Sequence, residues 1–299
     1  MSLSLRDRAV GAFLGAAIGD ALGMPVEGLS HVNVRTYYKG IKGLRADEKR
    51  GDLAAGQWTA NTQRARAHAR ALAAAPTDSP DAVRQALDAE PEPDRRPDAS
   101  GSAAAAAATA LGVMARLRGL GGLALARWSE RLLGPAFGAP EHAVASAAQA
   151  VALRAALSQP GAPDGPALLR AAADAAREAE RLLGATDAVS ARLDSLAPFL
   201  AETPLDLQER AAGTGTGADE AFPFAVAMVA RAPHLPEATL LSAVNVGGDA
   251  ASIGAVAGAL LGALHGPDAF PADWRDGLED AAGIRADAQA LADALGRAG

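Results

Sequence analysis

Long Ala/Leu/Arg/Glu stretches recur at the helical period along nearly the whole chain, β-branched residues are sparse, and aromatics make up only 4%. Local propensity therefore favours helix almost everywhere, and the pattern predicts an all-α fold: a single compact multi-helix domain over residues 1–299. Breaks fall at Gly23 to Gly56, where Pro25, Gly28, Gly40, Gly43 and Gly51 punctuate, at Pro76 to Asp98, and at Pro160 to Pro166. These read as loops between helices. The proline-dense segment from Pro91 to Pro97 reads as an exposed connection.

Two of the predicted helices carry an unusual pattern. Gly11, Gly15 and Gly19 are four apart, and so are Gly254, Gly258 and Gly262, which puts each set on one helix face. Glycine in a helix interior costs about 1 kcal/mol relative to alanine. In an alanine-rich chain six of them point to close backbone approach, and the expectation is two central helices packed against each other.

A net charge of -7 with no compensating Lys/Arg run excludes the electrostatic footprint of a nucleic-acid binder. The absence of cysteine excludes disulfides, thiolate metal sites and a Cys nucleophile, and suits a reducing cytoplasm. The first apolar stretch, Ala9 to Ile18, is flanked by Arg6, Asp7, Arg8 and Asp20 and lacks a cleavage site, so no signal peptide is expected. Ala103 to Ala115 and Ile253 to Leu264 are too short to span hydrocarbon, and no membrane segment is expected.

Generic motifs contribute little: there is no Walker A sequence, no Gly-x-Ser-x-Gly elbow and no His-Glu-x-x-His. The run Gly213-Thr214-Gly215-Thr216-Gly217 follows no strand pattern and reads as a flexible loop. His31, His68, His142, His234 and His265 show no ligand spacing, and none is given a role. Three polar clusters remain, each at the mouth of a strong helix: Gly19-Asp20 to Val26-Glu27, Gly56-Gln57-Trp58-Thr59-Ala60-Asn61-Thr62-Gln63, and Asn245-Val246-Gly247-Gly248-Asp249-Ala250-Ala251-Ser252. Thr59 and Ser252 stand where helix N-caps belong, Asp249 suits the same N-terminus electrostatically, and Trp58 reads as a packing anchor.

In order and wording these clusters, with Gly215 to Ala225 between them, resemble the ADP-ribosylglycohydrolase family, relatives of dinitrogenase-reductase-activating glycohydrolase. The likeness runs through most of the chain. It implies an all-helical hydrolase that cleaves ADP-ribosyl bonds at the anomeric carbon with two divalent ions, Mg²⁺ or Mn²⁺. In the family those ions are held by a Trp-Thr-Asp-Asp-Thr block, a Gly-Gly-Asp-Thr-Asp-Thr block and an acid from the first cluster. The resemblance therefore assigns metal-ligand positions to Glu27, Thr59, Asn61, Asp249 and Ser252, with Glu27 and Asp249 as the catalytic carboxylates. It assigns phosphate binding to Ser100-Gly101-Ser102, which six alanines follow in place of the family's Asn-Gly-rich stretch. Backbone amides there could still hold an anion at a helix start.

Ala60, Asn61 and Ala251 stand where the family has aspartates. Two carboxylates supply -2 against the +4 of a metal pair, so at most one weakly bound ion is expected. The reading that follows is a family member with impaired or absent hydrolysis. The alternatives are an active single-Mg²⁺ hydrolase on an ADP-ribosyl or related nucleotide substrate, and a non-catalytic ligand-binding or structural protein. The implied partners are an ADP-ribose-like small molecule or an ADP-ribosylated protein. Glu27, Thr59 and Asp249 are expected to share one cleft beside the glycine-bearing helices.

Overall fold

The computed structural model of the chain describes residues 3–48, 51, 53–91, 101–159, 162–211 and 213–297. Among these residues there are sixteen α-helices and no strand. In chain order they are α1 (Leu5–Gly23), α2 (His31–Asn33), α3 (Ala60–Ala74), α4 (Pro80–Leu87), α5 (Gly101–Ala107), α6 (Thr109–Arg118), α7 (Gly122–Phe137), α8 (Pro140–Ser158), α9 (Gly165–Leu183), α10 (Ala188–Leu196), α11 (Pro204–Arg210), α12 (Ala221–Arg231), α13 (Pro236–Val244), α14 (Ala250–His265), α15 (Ala272–Gly277) and α16 (Ala281–Arg297). They pack around one continuous hydrophobic core. The all-α expectation holds.

The centre of that core is a pair of helices far apart in sequence. α1 starts at a reciprocal cap, in which Ser4 Oγ accepts from the Asp7 amide at 3.1 Å while the Asp7 carboxylate accepts from the Ser4 amide at 3.3 Å. Every residue from Ala9 to Gly23 is then buried. α14 is likewise buried from Ala250 to Leu264. The two run antiparallel, with Gly11 against Gly262, Gly15 against Gly258, Gly19 against Gly254 and Gly23 against Ala250. At each of these glycines an added Cβ would fall on a backbone carbonyl of the facing helix. The seam is backbone against backbone, and the dispersion contacts of that close approach offset the lost helix propensity. The apolar segment is also longer than the Ala9 to Ile18 stretch suggests: residues 5–26 could cross a membrane by length and composition, but their apolar window is 100% buried inside the protein.

The Pro76 to Asp98 break is not a plain loop. α4 forms within it because Ser79 Oγ accepts from the Ala82 amide at 3.4 Å, Pro80 occupies the first turn, and Val83 is buried. Residues 92–100, which include most of the proline-dense segment and Ser100, lie outside the described residues, as do 160 and 161. The alanines from Ala103 to Ala108 are at most 2% exposed. They let α5 pack against α3, α8 and α14, so they are interior packing residues.

Candidate active site

Two acidic side chains, Asp20 in the last turn of α1 and Glu27 just beyond that helix, meet the N-termini of the two helices that carry the other polar clusters. Asp20 reaches α3: its Oδ2 accepts from the Thr59 amide at 3.0 Å, the Thr62 amide at 3.1 Å and Thr62 Oγ1 at 2.7 Å, while its Oδ1 accepts from Thr59 Oγ1 at 2.7 Å. A helix start offers orphan N–H groups and partial positive charge, and a carboxylate from another helix satisfies both. Burial raises the Asp20 pKa above its ordinary value, against the hydrogen bonds from Thr62 and Thr59. All four partners donate, the pattern that an ionised carboxylate requires. Thr59 is itself the N-cap of α3, its Oγ1 accepting from the Asn61 amide at 3.2 Å.

Glu27 does the equivalent for α14. It follows a 3₁₀ turn, Met24–Val26, and its Oε2 accepts from the Ala251 amide at 2.7 Å. The backbone fixes that placement: the Gly28 amide donates to Gly248 O and the Gly248 amide to Leu29 O, both at 2.8 Å, beside an antiparallel bridge between Ser30 and Gly247. Gly247 and Gly248 have φ of 85° and 74°, and side chains on them would overlap Leu29 O and Thr214 O. Only glycine fits this turn twice in succession.

Asp249 follows at the N-cap position of α14. It is buried, its amide donating to Thr214 O at 2.6 Å, and its side chain makes no cap hydrogen bond. Ser252 lies inside α14, not at its cap, which corrects the capping role read for it; the remote Glu27 carboxylate occupies the helix start instead. The contact with Thr214 also corrects the flexible-loop reading of Gly213 to Gly217. That loop is tied down at Thr214, whose Oγ1 accepts from Gln208 Nε2 at 3.0 Å.

The clusters meet through side chains. Asn61 Nδ2 donates to Ser252 Oγ at 3.3 Å, joining α3 to α14 directly. With Asp20 on Thr59 and Glu27 on Ala251, the fold brings Glu27, Thr59, Asn61, Asp249 and Ser252 to the paired N-termini of these helices. Ala60 and Ala251 are buried there, and their side chains offer only methyl groups. α5 packs on both α3 and α14, and Gly101 and Ser102 form its first turn; Ser100 is outside the described residues. Trp58 is the packing anchor expected, its Nε1 donating to Glu279 O at 3.1 Å and the Arg66 guanidinium lying 5.6 Å from its ring centre.

Two divalent ions need several carboxylate oxygens. Glu27 and Asp249 are the carboxylates at this place, since Asp20 commits both its oxygens to α3. Thr59 Oγ1 gives its proton to Asp20 and takes the Asn61 amide on its lone pair. Asn61 Oδ1 is a buried neutral acceptor with no hydrogen-bond partner. Among the described residues no three His, Cys, Asp or Glu side chains stand together as a metal-holding group. The donor set does not fit a dinuclear centre.

Asp20 is the site residue for which sequence reasoning found no role. The available signal was a lone carboxylate in an otherwise apolar run, which burial obliges to find donors. Asp20→Ala removes four acceptor contacts and leaves two amides and two hydroxyls buried without them. The expected loss is about 3 kcal/mol or more, read as a lower urea midpoint, with Asp20→Asn losing less. A change below about 1 kcal/mol in Asp20→Ala would rule out this capping role.

Comparison with known proteins agrees with the geometry. The family model described as ADP-ribosylglycohydrolase matches residues 1–299. A solved structure described as an ADP-ribosylglycohydrolase-related protein complex is similar with a TM-score of 0.71 and 27% identity, over 97% of this chain and 99% of its own. A 50-residue stretch is 52% identical to an uncharacterized protein of Archaeoglobus fulgidus, covering 17% of this chain and only 16% of that protein. With the fold, the paired helix starts and a family match over the full length, the chain belongs to the ADP-ribosylglycohydrolase family.

Proposed function

We propose that this protein keeps the family scaffold while its hydrolysis of ADP-ribosyl glycosidic bonds is impaired or lost. The observation that carries the reading is the Asn61–Ser252 hydrogen bond, set beside buried Ala60 and Ala251, where the family resemblance calls for carboxylates. Glycosidic cleavage builds positive charge at the anomeric centre and needs an activated water. Neutral amide, hydroxyl and methyl groups supply neither. Glu27 and Asp249, with the neutral oxygens of Thr59, Asn61 and Ser252, hold at most one Mg²⁺ or Mn²⁺ weakly. The ligand class is an ADP-ribose-like small molecule or an ADP-ribosylated protein, met in the cytoplasm.

The test is release of ADP-ribose from an ADP-ribosylated peptide by purified protein with Mg²⁺ or Mn²⁺, with and without chelator. No chelator-sensitive release is expected, and robust chelator-sensitive turnover overturns the proposal. A parallel thermal-shift titration with ADP-ribose separates retained binding from its loss, because a ligand of the folded state raises the melting temperature by mass action.

A further inference from the structure

All three lysines of the chain fall between residues 39 and 49, and its two tyrosines are Tyr37 and Tyr38. The first part of this stretch is a short amphipathic element, α2 running directly into the π turn Val34–Tyr38. Val34 and Tyr38, four apart, are buried. Val32, Arg35, Thr36 and Lys39 recur at the complementary helical spacing and are exposed, as are Tyr37 and Lys42. Val32 at 68% and Tyr37 at 63% are the most exposed large hydrophobic side chains among the described residues.

Both ends of this element are tied to one residue. His31 Nδ1 lies 3.0 Å from Asn245 O, the Ile41 amide donates to Asn245 Oδ1 at 2.6 Å, and Asn245 Nδ2 donates to Ile41 O at 2.9 Å. The outward face therefore rides on a fixed backbone, which lowers the ordering cost of binding to it. Lys39 closes the turn in the left-handed region, at φ 54°, a conformation that any side chain disfavours. Glycine would fit there without strain; the lysine instead offers a charge to the outside.

Arg35, Lys39 and Lys42 form no ion pair among the described residues. Arg45 differs, meeting Glu48 at 3.2 Å and lying 5.6 Å from the Tyr38 ring centre. The nearby acids are engaged elsewhere: Glu48 by Arg45, Asp47 by burial, and Glu27 by the start of α14. What this face presents is three cations interleaved with two apolar side chains, on a chain whose net charge is -7.

We propose that this face docks a short acidic segment of a protein partner, its carboxylates meeting Arg35, Lys39 and Lys42 while an apolar side chain covers Val32 and Tyr37. Charge complementarity selects an anion, and the small size of the patch selects a short one. A nucleic acid or an anionic bilayer extends well past about two helical turns, onto a protein of net negative charge that repels it across a Debye length of about 10 Å. The inference is independent of whether hydrolysis survives, since no ADP-ribose takes part.

The lysine distribution supplies the readout. Reductive ¹³C-methylation keeps the lysine charge and labels, besides the N-terminal amine, only Lys39, Lys42 and Lys49. The probes are a fluorescent peptide of glutamates around one leucine and one phenylalanine, its lysine-for-glutamate counterpart, oligothymidylate of equal charge, and phosphatidylserine vesicles. The lysine methyl resonances of the full chain are expected to move with the acidic peptide and not with the basic one. In fluorescence anisotropy, the combined Arg35→Glu, Lys39→Glu and Lys42→Glu variant should bind the acidic peptide at least about tenfold more weakly, and Tyr37→Ala about threefold. The proposal is overturned if the lysine resonances stay still, if either variant, folded, binds the peptide as the parent does, or if oligothymidylate or the vesicles bind the parent more tightly than the peptide. The parent spectra decide the matter even where a variant does not fold.

Discussion

Gly258→Ala is expected to destabilise the protein by about 3–5 kcal/mol, a large fraction of a typical folding free energy. The methyl group would land on the backbone carbonyl of Gly15. A side chain in its way could rotate aside; a carbonyl inside a helix cannot, so α1 and α14 have to separate along their length. Separation opens gaps at the three other facing pairs, from Gly11 with Gly262 to Gly23 with Ala250, and forfeits dispersion contacts in the middle of the core. Helix propensity works the other way, favouring alanine by about 1 kcal/mol, and the estimate is net of that gain. Gly296→Ala in the last turn of α16 is the control, because nothing lies within 4 Å of a Cβ there. That substitution should stabilise by up to about 1 kcal/mol. Urea unfolding followed by circular dichroism reads both. If Gly258→Ala proves as stable as the parent, the seam is not the close contact described here.

The seam is legible in the sequence because glycine at four-residue spacing has a steep local penalty, and only a contact between backbones compensates for it. The meeting of the three polar clusters is legible for a related reason: each stands at a helix mouth, and two of the helices are those that the glycines pair. Other features depend on partners that local pattern does not name. Ser79 and Pro80 serve equally in a turn and at a helix start, and what makes them the start of α4 is the burial of Val83. Ser252 resembles a cap in sequence, yet a carboxylate more than two hundred positions away holds that helix start. Asp20 sits in a run of small apolar residues, and its four donors come from a segment about forty residues on.

Placing aspartates where the family resemblance has them should make the paired starts of α3 and α14 a metal-dependent site. Ala60→Asp, Asn61→Asp and Ala251→Asp together would place three more carboxylates beside Glu27 and Asp249, at positions that are at most 3% exposed. Without metal this variant should be less stable than the parent. It gives up the Asn61 Nδ2 donor to Ser252, and it crowds like charges in a buried space, which raises their pKa values. A carboxyl group whose folded pKa is raised contributes stability that is fully present below its unfolded value and lost as pH rises through the folded value. The metal-free triple variant should therefore be weakest at neutral and alkaline pH and recover on acidification. Mn²⁺ should reverse the deficit at neutral pH, because an ion that binds only the folded state at about a thousand times its Kd adds roughly 4 kcal/mol. The single Ala60→Asp change should do far less, one added charge leaving a pair of dications under-neutralised. Calorimetric titration of parent, single and triple variants with Mn²⁺ separates the cases. Tight binding of two ions by the parent would end the impaired-hydrolase reading. A folded triple variant that binds none would show that the paired starts of α3 and α14 are not a metal site in this chain at all.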